Sequence, residues 1–391
     1  MGLFILRRVG MMLLTALCLT FVVFFLTNLY PNLEKLAKTQ GNFRMPDHAV
    51  ATWLSNRGYR SQLDLEALEN FRTNKITEDE MNATVNTGFD VRLFRNYGEW
   101  LGVVPGYVIE GTDGETRGRC APTGVSLDDA PTFCGVLQGY WGFSTFGKTE
   151  VGPMVFKRLG LTGWLMLTVM CVMVPGALII GVLAGMREGS RLDRSLSTIS
   201  ITTTATPEYV SGVIFIALLA ASASPINVWL NEMGWISGKS MFKGSAASAM
   251  KDFTFANFTL PVLTIALYGM GYIARMTRAS MAEVMTAQYI RTARLKGVSF
   301  GTIVMKHALR NALIAPFTVI MLQFPWLLNG VVIVETLFNY KGFGWLLVQA
   351  AGNNDIDLLL AVSVVSVFVV LVTQLISDIG YVYLNPRIRI S

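Results

Sequence analysis

The residues of this chain that could take part in chemistry are few and unevenly placed. Glu208 follows Pro207 inside the otherwise uncharged run Ser195–Ala223, where a carboxylate faces a large desolvation cost and is functional by default. Such a group either lines a polar path and meets a positive charge, or rests on a buried partner such as a backbone amide, or sits at a local break at Pro207 that admits water. Gln323, Pro325 and Asn329 bring amides and a kink into a second apolar run, and Glu335 stands just past its end. These polar groups suit a pore wall and helix–helix hydrogen bonds equally. Gly142-Phe-Ser-Thr-Phe-Gly147-Lys148-Thr149 spells the phosphate-cradling pattern G-x-x-x-x-G-K-T, but that pattern works only where a buried strand leads in and a helix opens directly behind it. Here Gln138-Gly-Tyr-Trp precedes it and Glu150-Val-Gly-Pro follows, so no nucleotide site is expected. Two histidines, four cysteines and no CxxC spacing leave little for a metal cluster or a nucleophile–base pair, and the chain is not expected to be an enzyme.

The strongest chemical signal is electrostatic. Ala287–Asn311 holds Arg291, Arg294, Lys296, Lys306, His307 and Arg310 with no acidic residue. It lies between two apolar runs and is interrupted by Gly297. It reads as two short helices meeting at that glycine. Thr292 and Ala293 offer a small face that a partner could approach, with Arg291, Arg294 and Lys296 as charge beside it. A basic surface helix could also bind anionic lipid.

The elements that must position these residues are membrane helices. The 391-residue chain is 52% apolar, 15% charged and has a mean hydropathy of +0.47, against about 25% charged in ordinary soluble proteins. Six runs reach the roughly 20 residues needed to cross a hydrocarbon core: Val9–Tyr30, Leu159–Met186, Ser195–Ala223, Phe253–Ala274, Asn311–Val334 and Leu358–Ser377. The first is expected to remain as an anchor rather than to be cleaved, because it is too long for a signal-peptide core and Asn28-Leu-Tyr-Pro lacks a small-x-small site. Arg7 and Arg8, Arg187, Arg191 and Arg194, Arg275 and Arg278 with the basic island, and Arg387 and Arg389 all fall on one side of such a bundle. By the positive-inside rule that side is the cytoplasm, which places both termini and the island there. Gly181 and Gly185, four apart in the second run, suit close packing of helices in lipid.

The segment from 31 to 158 is then external and is expected to fold as a small α+β insertion. Thr77-Glu-Asp-Glu reads as a helix start, and the stretch from Tyr107 to Arg117 reads as a hairpin about Asp113-Gly114. Cys120 and Cys134 both lie in it, and a disulfide between them is expected in an oxidising compartment. The remainder, 159–391, forms a five-helix core, and 1–30 the amino-terminal helix. Glu208, Gln323, Asn329 and Glu335 are the candidate lining of a solute path through the bundle.

Several stretches resemble one family. Tyr289-Ile-Arg291-Thr292-Ala293-Arg294-Leu-Lys296-Gly297-Val and His307-Ala-Leu-Arg-Asn-Ala312 are similar to the cytoplasmic loop of binding-protein-dependent ABC importer permeases. The match is to the dipeptide, oligopeptide and nickel branch, whose pattern lacks the acidic residue, the Ile and the Pro of the general signature. Glu335-Thr-Leu-Phe338-Asn-Tyr-Lys341-Gly342-Phe-Gly344 resembles the branch's E-x-x-F-x-x-P-G-L-G, with Lys341 replacing the proline. Phe4-Ile-Leu-Arg-Arg8 and Leu384-Asn-Pro-Arg-Ile-Arg389 are similar to the ends of the first of the two permeases in peptide systems. The resemblance implies a type I importer permease in a bacterial inner membrane, forming half of a path for peptides or similar solutes. It further implies a homologous second permease, two cytoplasmic ATPases that bind ATP and magnesium, and a periplasmic binding protein. The segment from about 287 to 300 would be the helix that couples to an ATPase, through Tyr289, Arg291, Thr292, Ala293, Arg294, Lys296 and Gly297. No cofactor is expected in this chain. An ion-coupled transporter is the alternative, and would call for inverted repeats and paired intramembrane charges.

Overall fold

The computed structural model describes residues 2–56, 59, 67, 70, 73–77, 80, 91–106, 108–110, 116–118, 130–236 and 238–384. Its elements are α1 (Gly2–Thr27), α2 (Tyr30–Gln40), α3 (Asp47–Asn56), α4 (Val91–Leu101), strands β1 (Val108–Glu110), β2 (Thr116–Gly118), β3 (Phe143–Ser144) and β4 (Thr149–Glu150), then α5 (Val151–Gly185), α6 (Arg191–Ala205), α7 (Glu208–Phe215), α8 (Pro225–Glu232), α9 (Phe255–Met285), α10 (Gln288–Leu295), α11 (Ile314–Leu337), α12 (Phe343–Gly352) and α13 (Ile356–Leu384). Among the described residues, five stretches are long and apolar enough to cross a membrane: Leu6–Thr27, Val151–Gly185, Glu208–Glu232, Phe255–Met285 and Ile356–Gly380. Phe300–Ala312 and Ile314–Leu328, bent by 51°, bring the number to six where the pair is counted as one broken span. The chain is a helical, multi-pass membrane protein with five to six such spans among the described residues, against the six expected.

The third apolar run departs from expectation. It is not one helix from Ser195: α6 ends at Ala205, Thr206 and Pro207 are extended, and α7 opens at Glu208. Proline lacks an N–H and forces the residue before it out of the helical region, and Thr206 accordingly has ψ 119. The serines and threonines of α6 remain satisfied by bonding back along the helix, as Thr198 does to Arg194 and Thr202 to Thr198.

Two compact units make up the chain. The first comprises Met1–Val9, Arg158–Val348 and Val369–Ser391, with α9 at its centre. A Cβ on Gly181 of α5 would lie 2.4 Å from the Thr277 side chain, and one on Gly185 would lie 2.6 Å from the Arg278 carbonyl. The two glycines thus serve helix packing, as their spacing suggested. Gly271 of α9 meets α6 in the same way, at Thr203 and the Ser200 carbonyl. Leu165, Val169, Met173, Leu260, Ile265, Ile273, Leu327, Val331 and Phe338 are buried in the common core.

The second unit comprises Gly10–Lys157 and Gln349–Phe368. Its core joins Phe24 of α1, Leu33, Leu36, Val50, Leu54, Leu93, Tyr97 and Trp100 with Ile356 and Leu360 of α13. The anticipated hairpin is present as β1 and β2, paired antiparallel with Ile109 opposite Arg117, while its turn lies outside the described residues. At Thr77 the helix-start signature is realised as a reciprocal pair: the Thr77 N–H donates to Glu80 (2.8 Å) and the Glu80 N–H to the Thr77 hydroxyl (3.3 Å).

The phosphate-loop look-alike is a β-hairpin, β3–β4, rather than a strand-to-helix cradle. Its donors are taken by a carboxylate of the same unit. Asp355 accepts from the Ser144 hydroxyl (2.7 Å) and the Phe146 N–H (3.1 Å), and caps α13 through the Leu358 N–H (3.1 Å).

Candidate functional site

The basic island folds largely as its composition suggests. In α10, Gln288, Arg291, Thr292 and Leu295 are all exposed and recur at the three- and four-residue spacing of one helix face. On the opposite side Ile290 and Ala293 are buried against Met281, Met285, Ile303, Val304 and Ala308. The expected small-residue face is therefore divided: Thr292 points outward and Ala293 inward. Leu295 is 82% exposed, so the chain itself gives this apolar side chain almost no contact.

Gly297 ends α10 in a left-handed turn, with φ +74. The Val298 N–H bonds to the Ala293 carbonyl (3.2 Å) and the Gly297 N–H to the Arg294 carbonyl (3.0 Å), the paired closure that favours glycine at this position. Val298 packs against the same buried cluster. Tyr289 accepts a hydrogen bond from the Asn311 side-chain amide (2.9 Å), which fixes α10 to the segment that leads into α11. That segment contains a π-helical turn, Ile303–Ala308.

Sequence reasoning missed an ion pair in the same unit. Arg278 of α9 donates through Nε to Asp193 Oδ1 (2.6 Å) and through Nη2 to Oδ2 (2.9 Å). Asp193 also accepts from the Gly189 N–H (2.8 Å) and the Ser197 hydroxyl (3.1 Å). The Arg278 hydrogen bond is the main reason its carboxyl is held well below the usual carboxylate range, even against burial. The only sequence hint was an aspartate among the arginines that open α6. Arg278→Met is expected to destabilise the protein by about 2–3 kcal/mol, the worth of hydrogen bonds to a charged group. Because the folded-state pKa of Asp193 is depressed, its contribution is complete above the unfolded value of about 3.9 and is lost as pH falls below it. Thermal unfolding in detergent should therefore show the wild-type contribution intact from neutrality to about pH 5 and declining below pH 4.

The candidate path residues separate into two places. Glu208 opens α7 directly after the proline break, where unsatisfied N–H groups and the helix dipole favour a carboxylate. It is half-buried, and its Oε1 lies against α11, 3.5 Å from where a Cβ on Gly330 would stand. Gln323 and Trp326 fall on the same face of α11 as Gly330; Gln323 is buried, and Trp326 stacks on Tyr268 of α9 with centroids 4.7 Å apart. The Asn329 side chain lies outside the described residues.

Glu335 does not join them. Its side chain is fully buried, accepting from the Thr162 hydroxyl and from the Trp345 N–H (2.9 Å). Thr162 in turn accepts from the Phe343 N–H (2.7 Å). A Cβ on Gly342 would meet Glu335 Oε1 at 2.1 Å, and one on Gly344 would meet the Val332 backbone at 2.7 Å. Arg158 donates to the Lys341 carbonyl (2.7 Å) and Tyr340 to that of Leu161 (2.9 Å). The Glu335–Gly344 stretch is therefore a knot that ties α11 and α12 to α5, and burial removes Glu335 from any open path. Cys134 is buried, and its expected partner Cys120 lies outside the described residues.

Residues 177–390 match the family model for binding-protein-dependent transport system inner membrane components. The chain is 35% identical over 254 residues to a probable peptide ABC transporter permease of Sinorhizobium fredii, covering 65% of this chain and 77% of that one. It is 32% identical over 261 residues to an oligopeptide transport system permease of Bacillus subtilis, with coverage of 65% and 77%. A glutathione transport system permease of Escherichia coli strain K12 is 30% identical over 253 residues, with coverage of 65% and 76%.

Proposed function

This chain belongs to the binding-protein-dependent transport system inner membrane components, and from that premise we propose that it forms half of the path by which an ATP-driven importer moves peptides or peptide-like solutes. The observation that carries the coupling role is the stripe Gln288, Arg291, Thr292 and Leu295, exposed on a helix whose other face is anchored in the bundle. An apolar residue ringed by cations, on a helix that needs no further packing, suits an acidic-rimmed groove on a partner. We assign that groove to a cytoplasmic ATPase, which binds ATP and magnesium. Arg294, Lys296 and Tyr289 flank the contact, and Ala293 with Gly297 sets its shape. The rest of the machine is a second, homologous permease, a second ATPase and a periplasmic binding protein, with both termini of this chain in the cytoplasm. The peptide class follows from the relatives, which are named for peptides, oligopeptides and glutathione. The family assignment sets aside the ion-coupled alternative.

Glu208 is the residue proposed to meet the solute. A carboxylate at a helix break, set against a face of α11 that also carries Gln323 and Trp326, the latter stacked on Tyr268 of α9, suits the ammonium group of a peptide. In proteoliposomes holding the whole transporter, Glu208→Gln is expected to lower uptake of free-amine peptides by about 10- to 100-fold, the loss of one charge-assisted hydrogen bond. Uptake of the same peptides carrying an N-acetyl group should not respond. Equal losses for both would show that Glu208 does not read the amine.

A further inference from the structure

Helix α4 contacts α1 at a depth where hydrocarbon is expected. The Tyr97 hydroxyl donates to the Leu17 carbonyl (3.2 Å) and shares a 2.6 Å hydrogen bond with the Thr20 hydroxyl. Phe94 stacks on Phe21 with centroids 5.0 Å apart, and Trp100 lies against Phe24 at 5.6 Å. All four α1 contacts fall inside Leu6–Thr27, the stretch able to cross a membrane. At about 1.5 Å per residue that stretch covers roughly 33 Å, a full hydrocarbon core. Sliding the core to begin at Gly2 would still carry it about 20 residues, to Phe21, and would draw Arg7 and Arg8 into it. In every placement α4 meets α1 within the core or at its edge.

The side chains of α4 fit such a site. Glu99 is buried, and its carboxylate is met one turn back by Arg95 Nε at 3.0 Å, as an acid near lipid requires. The Arg95 side chain is 69% exposed and long enough to reach head groups. Phe94 and Val103 are exposed, and so are Leu137 and Tyr140 on the segment that Gln138 ties to the Gly102 carbonyl (3.0 Å). Leu13, Leu14 and Leu17 of α1, within the stretch long and apolar enough to cross a membrane, are exposed as well. Exposed apolar side chains on a helix held against the membrane-length part of α1 lie where lipid is the medium that covers them.

We propose that α4 and the turn Val136–Gln138 lie in the membrane interface at the Thr27 end of α1, and that what covers Val103, Leu137 and Tyr140 is the lipid bilayer itself. Part of the insertion is then a collar resting in one leaflet, not a domain standing wholly in water. The test places p-benzoylphenylalanine at Val103 or Leu137, both exposed positions, in the assembled transporter held in phosphatidylethanolamine–phosphatidylglycerol nanodiscs. The same substitution at Leu13 serves as the lipid reference. Irradiation is expected to give phospholipid adducts at both positions at the level seen at Leu13. Cross-linking to another subunit instead would overturn the proposal, and so would the absence of adducts at both positions while Leu13 reacts.

Discussion

Glu335→Ala is expected to cost about 3–5 kcal/mol, because it orphans two buried donors worth roughly 1–3 kcal/mol each and leaves a void behind them. The donors are the Thr162 hydroxyl and the Trp345 N–H. A loss of that size is a large share of the 5–15 kcal/mol by which folded domains are stable, so the thermal midpoint in detergent should fall sharply. Gly342→Ala tests the same knot from the other side, since its Cβ would strike the Glu335 carboxylate and the Thr162 hydroxyl. The clash with the carboxylate disappears when Glu335 is truncated, while the one with the Thr162 hydroxyl remains. The double variant should therefore be less destabilised than the sum of the singles, by an interaction of about 0.5–3 kcal/mol. Additive losses would mean that Glu335 and Gly342 do not meet in the folded protein.

The second large effect is on docking, with the fold left intact. Arg291→Glu with Leu295→Asp changes two exposed residues one turn apart on α10 and removes no intramolecular contact described above. Reversing a charge at a complementary interface costs about 2–5 kcal/mol, which is at least roughly 30-fold in affinity. The double variant should insert and unfold like wild type, yet lose the ATPase subunits on co-purification and lose solute-dependent stimulation of their activity. Retained association with normal stimulation would exclude this stripe as the docking surface. Ala293→Leu should behave in the opposite sense. Its added bulk enters the cluster of Met281, Met285 and Ile303, so the first symptom is instability, with docking impaired only through displacement of α10.

What was legible in the sequence was local or periodic. The length of apolar runs requires membrane helices, since only a helix satisfies its own backbone in lipid. Gly297 marked the end of α10 because few other residues accept a left-handed turn, and Gly181 with Gly185 marked a close helix contact because the spacing places both on one face. Thr77 with Glu80 announced a cap three residues apart. The misleading phosphate-loop pattern was recognisable from what precedes it, which supplies no buried strand, although a helix, α5, does open behind it at Val151.

What only the tertiary structure decided is which polar groups meet across long separations. Glu335 and Glu208 look alike in sequence, each an acid beside an apolar run. Packing turns the first onto Thr162 and buries it, and a proline break leaves the second at a helix mouth beside Gly330. Arg278 is one of many arginines until α9 brings it to Asp193, and Asp355 is a loop acid until β3–β4 folds over it. Local propensity fixes where a helix begins, ends and turns its apolar face. It carries no information about the rotation and depth at which two helices lock, and those set whether a carboxylate faces a partner, a solute or lipid.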